Sequence, residues 1–195
     1  MKDSSDKEIW DDFRNGEEYA LSHIYHQHIH LLYRYGKKFV SNDDLIKDTI
    51  QDLFFDLIKS RKKLGETDNI RFYLMASFRR KLATNLKKQN RALDIHPERI
   101  MKAEITYSAE KIIIDKEELT NVEELIHKAL EEISPKQREI LFYRYSCNLD
   151  YEQICVIMSL KYDSARKLVF RALKSLKGNL SGTDIQSYYS GIVTK

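Results

Sequence analysis

Proline and glycine are scarce in this 195-residue chain, at 2 and 6 residues. With so few breakers, and with long runs of 3.6-residue periodicity, the pattern predicts an all-helical protein. Cysteine is nearly absent too. Cys147 and Cys155 are the only two, their spacing matches no metal-ligand pattern, and the N-terminus (MKDSSDKEIWDDF) is polar and acidic rather than a secretory leader. A disulfide is therefore not expected, and the cytoplasm is the expected compartment. No apolar run approaches the ~20 residues that span a bilayer as a helix. There is no P-loop, no nucleophile elbow and no paired carboxylates in an evident pocket. Nothing points to an enzyme, a cofactor or a small-molecule substrate. A large charge excess is missing as well: the net charge of +3 does not by itself suggest nucleic acid.

What is present is an uneven distribution of that charge. Arg71 to Arg91 holds seven cations (Arg71, Arg79, Arg80, Lys81, Lys87, Lys88, Arg91) and no acid. Lys161 to Lys177 holds six cations against Asp163 alone. Between them, Glu98 to Glu124 has eight acids and four bases. Two basic modules joined by an acidic connector is the organisation this implies.

The first module reads as a short helix at Ile9–Phe13 and a longer one at Glu17–Gly36, with Gly36 as its C-cap. A third helix, capped by Ser41 or Asn42 with Asp43 and Asp44 near its positive end, runs to about Ser60. Turn chemistry around Gly65 separates it from a basic helix over Ile70–Gln89, whose inner face is Ile70, Tyr73/Leu74, Phe78, Leu82 and Leu86. His23, His26, His28 and His30 cluster on the second helix. His26 and His30 are i, i+4, but no HExxH pattern or carboxylate partner is in register. The cluster reads as a surface or interface group, with no metal. Asn90–Leu119 has weaker periodicity, a break at Pro97 and the β-branched run Ile112–Ile114, and reads as a linker with some helical character.

The second module opens with a helix over Val122–Ile133. Ser134-Pro135-Lys136-Gln137 then supplies a capping Ser, Pro at the first helical position and Gln at the third, a specific helix start. Asp150–Gln153 offers a similar, weaker one. Tyr151–Met158 is a short apolar helix joined by a turn, Ser159–Lys161, to a longer amphipathic one. On the latter Ala165, Leu168, Val169, Ala172, Leu173 and Leu176 form one stripe, with Arg166, Lys167, Arg171, Lys174 and Lys177 elsewhere. Gly178-Asn179 is expected to close it. Two helices in this arrangement, the second basic, have the layout of a helix-turn-helix that enters the DNA major groove. The tail Ser181–Lys195 is polar, although Tyr188, Tyr189, Ile192 and Val193 could dock.

The two modules together resemble a group 4, extracytoplasmic-function-type sigma factor of bacterial RNA polymerase. Asp48-Thr49-Ile50-Gln51-Asp52-Leu53-Phe54 resembles the D-x-[VI]-Q-[ED]-[VL]-F signature of sigma region 2, and Tyr73-Leu74 begins its basic helix. Ser134-Pro135-Lys136-Gln137-Arg138-Glu139, Asp150-Tyr151-Glu152-Gln153-Ile154 and Arg171-Ala172-Leu173 resemble the three motifs of region 4. The resemblance implies region 2 over 5–91, a linker over 92–121, region 4 over 122–180 and a tail over 181–195. Phe78-Arg79-Arg80 stands where the family has Ala-Arg-Asn. Thr84 stands for Asp, Cys155 for Ala, and Lys161 for a capping Ser or Thr. The first two departures bear on which promoter is read.

The resemblance assigns roles to residues. Asp48, Gln51, Asp52 and Phe55, at i, i+3, i+4 and i+7, share a face that would dock on a coiled coil of the polymerase's largest subunit. The Arg61–Asn69 loop would capture a base flipped from the melted −10 element, with Leu64, Glu66, Thr67 and Asn69 as edge-reading candidates. Arg71, Arg79, Arg80, Lys87 and Lys88 would hold the strand backbone, and Phe72 could stack on a base. For the −35 element the candidates are Tyr162, Ser164, Arg166, Lys167, Arg171 and Lys174. Phe170 would either touch a thymine methyl or pack on a neighbouring helix. The acidic linker resembles the connector that occupies the RNA exit path. Implied partners are core RNA polymerase, promoter DNA and, by family analogy, a membrane-linked anti-sigma factor. The rival reading is a stand-alone helix-turn-helix regulator acting as a dimer on duplex DNA.

Overall fold

Ser5 opens the first helix. Its hydroxyl accepts from the Glu8 backbone N–H while the Glu8 carboxylate accepts from the Ser5 N–H, a reciprocal cap that satisfies two otherwise orphaned donors. The structure, a computed structural model, describes residues 5–92 and 121–181. The chain divides into two compact units, Met1–Glu110 and Lys111–Lys195. Among the described residues every regular element is helical, and no helix is long and apolar enough to cross a membrane. The expected features of residues 93–120, including the Ile112–Ile114 run, and of the tail from residue 182, lie outside the described residues.

The first unit holds α1 (Asp6–Asn15), α2 (Glu18–Lys37), α3 (Asp43–Ser60), a short 3-10 turn (Arg61–Lys63) and α4 (Ile70–Ala92). α1 is longer than the expected Ile9–Phe13 because of the Ser5 cap, and it ends on Gly16 at φ +102°, a left-handed position that favours glycine. Ile9, Trp10 and Phe13 bury its inner stripe, and Trp10 is fully buried. α2 buries Ala20, Ile24, His28, Leu32 and Tyr35 at helical spacing. α3 is capped by Asn42, whose side chain accepts from the Leu45 N–H, and buries Ile46, Ile50, Leu53, Phe54 and Leu57. From α4 come Ile70, Leu74, Met75, Phe78 and Leu82. Each large apolar side chain so buried contributes about 1.5–3 kcal/mol, and together they make one core beneath the four helices.

Gly36 is not the C-cap that the sequence suggests. α2 continues through it to Lys37, and the capping residue Lys38 is right-handed. Gly36 is buried, and a Cβ there would lie 2.6 Å from Cγ2 of Ile46. Its missing side chain lets α3 approach α2. His28 also departs from expectation. It sits four residues from both Ile24 and Leu32, on the buried stripe, while His23, His26 and His30 are exposed.

The second unit holds α5 (Asn121–Glu131), α6 (Pro135–Leu141) with a π turn (Phe142–Ser146), α7 (Tyr151–Met158) and α8 (Tyr162–Ser181). Both expected helix starts form reciprocal caps, Ser134 with Gln137 and Asp150 with Gln153. The Arg138 guanidinium is buried and donates to the carbonyls of Leu130 and Glu131, closing the end of α5. Gly178 does not end α8, which runs on to Ser181. The Asn179 side chain instead donates to the Ala129 carbonyl and ties α8 to α5. Ala165, Val169 and Ala172 are fully or nearly fully buried, Leu168 and Leu176 half-buried, and Leu173 is exposed at the edge of the stripe.

Candidate nucleic-acid and protein interfaces

On α3 the buried and exposed sides separate cleanly. Ile50, Leu53, Phe54 and Leu57 point into the core, and Asp48, Gln51, Asp52 and Phe55 all lie on the exposed side, with Phe55 64% exposed. Phe55 and Gln51 also line a groove of about 690 Å³ that runs between α2 and α3 past Tyr25, Ile29, Phe54 and Ile58. The Tyr25 ring meets Phe54 edge-on at 5.0 Å. An exposed aromatic beside two carboxylates and an apolar trough can take a helix that carries cations and one apolar edge.

A second groove of about 450 Å³ lies between α3 and α4. Asp52 and Asp56 form its acidic wall, and Arg80, Lys81 and Lys88 its basic wall. The walls are stitched by Lys81 Nζ to Asp56 Oδ2 at 2.6 Å and by the Asn85 amide donating to the Thr49 hydroxyl at 3.1 Å. The acidic and basic faces of this unit therefore meet along one seam.

The α4 candidates do not share one environment. Arg80, Lys87 and Lys88 are exposed, and Phe72 and Arg79 are half-exposed. Arg71 falls on the core side of the first turn, half-buried. Burial, and after it the Arg71 charge, lower the His28 pKa to about 4 from an ordinary 6.5, with His23 adding to the shift and Asp6 opposing it.

In the connecting loop Glu66 is exposed while Leu64, Thr67 and Asn69 are half-buried. Thr67 and Asn69 are engaged locally. The Thr67 hydroxyl accepts from the Asn69 N–H, and the Asn69 side chain accepts from the Phe72 N–H, capping α4. Two α1 residues that the sequence reading did not single out hold this loop. The Trp10 indole N–H donates to the Gly65 carbonyl at 2.8 Å, and Asp6 Oδ2 accepts from the Ile70 N–H at 2.9 Å. Both partners are far apart in sequence, so no local pattern announces them.

In the second unit all seven α8 candidates are exposed: Tyr162, Ser164, Arg166, Lys167, Phe170, Arg171 and Lys174. Phe170 is 68% exposed, so it does not pack on a neighbouring helix. Helical spacing puts Lys167, Phe170 and Lys174 on the ridge farthest from the buried Ala165–Val169–Ala172 stripe. Asp163 shares that ridge. The turn before α8 bends at Ser159, left-handed at φ 53°. Tyr162 is backed by two side chains: its ring meets Tyr151 edge-on at 5.6 Å, and the Arg144 guanidinium lies 5.1 Å over Tyr151 while donating to the Leu149 carbonyl. Arg144 and Tyr151 are support that the charge pattern alone did not reveal.

Comparisons with known proteins agree with this architecture. The family profile for sigma-70 region 2 matches residues 24–92, and that for sigma-70 region 4 matches residues 123–176. Together they cover more than half of the chain. No curated protein is matched by sequence. Among solved structures, CnrH in complex with the cytosolic domain of CnrY superposes with a TM-score of 0.60 at 13% identity, covering 92% of this chain and 99% of that one. The sigma factor RpoE in complex with the anti-sigma factor NepR from Bartonella quintana gives 0.61 at 18% identity, covering 82% and 96%. At such identities these likenesses speak to the fold.

With these two matches, the all-α pair of units, the second a helix-turn-helix with a basic outer helix, is of the class of transcription-initiation factors. The chain belongs to the sigma-70 family, in its extracytoplasmic-function type, whose members are not enzymes.

Proposed function

We propose that this sigma factor binds core RNA polymerase and directs it to −35 and −10 promoter elements. Residues 5–91 serve polymerase docking and −10 recognition, and residues 122–180 serve −35 recognition. Polymerase docks on Asp48, Gln51, Asp52 and Phe55. Phosphates of the opened −10 strand are held by Arg79, Arg80, Lys87 and Lys88, with Phe72 stacking on a base and the loop at Leu64, Glu66, Thr67 and Asn69 receiving a flipped one. Arg71, half-buried beside His28, acts at the root of that surface. In duplex −35 DNA, Arg166 and Lys167 reach base edges, Tyr162 and Ser164 flank them, Phe170 touches a thymine methyl, and Arg171 and Lys174 hold phosphates. The factor works in the cytoplasm and catalyses nothing itself. An anti-sigma partner is part of the proposal, because the solved relative RpoE is held by one.

The observation that carries this reading is the sorting of charge in the first unit. An exposed acidic and aromatic face on α3 adjoins an exposed basic face on α4. That suits a domain gripping a basic protein surface and a nucleic-acid strand at once. The test is co-elution of the full chain with bacterial core RNA polymerase on size exclusion at moderate salt. A stoichiometric complex is expected. A homodimer that ignores polymerase and shifts duplex DNA alone would overturn the proposal in favour of a stand-alone regulator.

A further inference from the structure

The loop between α3 and α4 is held from one side at three points, all by α1 and the turn that ends it. At its start, the Arg61 guanidinium lies over Gly16, close enough that a Cβ there would sit 3.2 Å from Arg61 Cζ. In its middle, the Gly65 carbonyl accepts the Trp10 indole N–H at 2.8 Å. At its end, the Ile70 N–H, one of the donors a helix start leaves unsatisfied, goes to Asp6 Oδ2 at 2.9 Å. Trp10 is itself immobilised. It is fully buried, packed on Phe13 at 5.5 Å and on Tyr73 of α4 at 4.9 Å. The other side of the loop is open: a Cβ on Gly65 would have no neighbour within 4 Å, and Glu66 is exposed.

We infer that α1 is a template for this loop, with Trp10 and Asp6 as positioning residues that set which base the loop accepts. The inference rests on the proposal that the loop receives a −10 base. A short, polar loop has few apolar contacts to fix its backbone. Its own hydrogen bonds order its two ends, the Leu64 N–H donating to the Arg61 carbonyl at the start and Thr67 and Asn69 bonding at the approach to α4, and the Gly65 peptide lies between them. The Gly65 peptide has no side chain to anchor it, so its orientation is set by the indole. A base edge is read by donors and acceptors held within a few tenths of an ångström of their place, and a peptide free to rotate loses that discrimination while phosphate contacts elsewhere keep the affinity. α1 lies wholly before residue 24, where the region 2 match begins. This role is therefore additional to the matched segment.

The experiment uses the full chain reconstituted with core polymerase and four dT strands of equal length, differing only in one central nucleotide, dA, dC, dG or dT. Wild type is expected to favour one strand by roughly ten-fold. Trp10→Phe keeps the ring in the core and deletes the N–H. Asp6→Ala alters an exposed side chain and frees the end of the loop. Both are expected to bind the plain dT strand within about two-fold of wild type, because phosphates carry that affinity, while preference among the four falls below about three-fold. Folded variants that discriminate like wild type would overturn the template role and leave base capture standing. A wild-type protein that shows no preference would overturn base capture itself, and the template role with it.

Discussion

Replacing Gly36 by Ala measures how closely α2 and α3 must approach. A Cβ at this position would meet Ile46 Cγ2 at 2.6 Å and Cγ1 at 3.1 Å, against an ordinary carbon–carbon contact of about 3.5–4.0 Å. Ile46 is fully buried on the opposing helix, so it cannot swing into solvent, and the helices must part or Ile46 must leave its rotamer. Overpacking of this kind costs about 1–3 kcal/mol. Gly→Ala in a helix interior returns up to about 1 kcal/mol of propensity. The net expectation is a loss of about 1–2 kcal/mol, which for a unit of this size lowers the melting temperature by roughly 5–15 °C. The assay is thermal unfolding followed by Trp10 emission, which reports the first unit alone. Ile46→Ala on its own should cost about 2–5 kcal/mol. Combined with Gly36→Ala, the new methyl enters the vacated space, so the double variant should be more stable than the single costs add up to, by about 1 kcal/mol or more. A Gly36→Ala protein that melts at or above wild type, or a cycle that is strictly additive, would refute the close-contact argument.

Three further outcomes follow from the geometry. Asp48→Arg with Asp52→Arg reverses both exposed carboxylates without touching the core, so helix content by circular dichroism should stay and co-elution with core polymerase should vanish. Arg166→Ala with Lys167→Ala should weaken −35 duplex binding by roughly 10–100-fold and flatten its salt dependence, with polymerase binding unchanged. His28 is held neutral in the fold, at about 4 against 6.5 when free. Above pH 6.5 neither state binds the proton. Below it the unfolded chain takes up a proton that the fold refuses. Stability should therefore fall between pH 6.5 and 4, by about 1–2 kcal/mol at pH 5, and a His28→Gln protein should lack that part of the decline in pH-dependent melts.

How much of this could be read from residue order differs from element to element. The outward face of α3 and the basic ridge of α8 were readable because an amphipathic helix declares its inner side every three or four residues. The Ser134 cap was readable because its partners are adjacent. Gly36 was misread because a glycine near the end of an apolar stripe looks the same whether it stops a helix or admits a neighbour. Only Ile46, ten residues on, decides between them. Gly178 was misread because a helix can also run through an exposed glycine that touches nothing, and this one continues to Ser181. His28 looked like one of a surface group until its position between Ile24 and Leu32 placed it in the core. The anchors of the α3–α4 loop were invisible, since Trp10 and Gly65 lie 55 residues apart and Asp6 and Ile70 lie 64 apart.

Those two long spans bear on engineering. A chimera that transplanted only residues 61–69 into another sigma factor would import the side chains proposed to face a base but leave behind the indole and the carboxylate that hold the backbone still. The donor loop would arrive without its mould. Swapping promoter preference between two such proteins by grafting calls for exchanging α1 together with the loop, as one discontinuous part, while α3 and its docking face stay with the host.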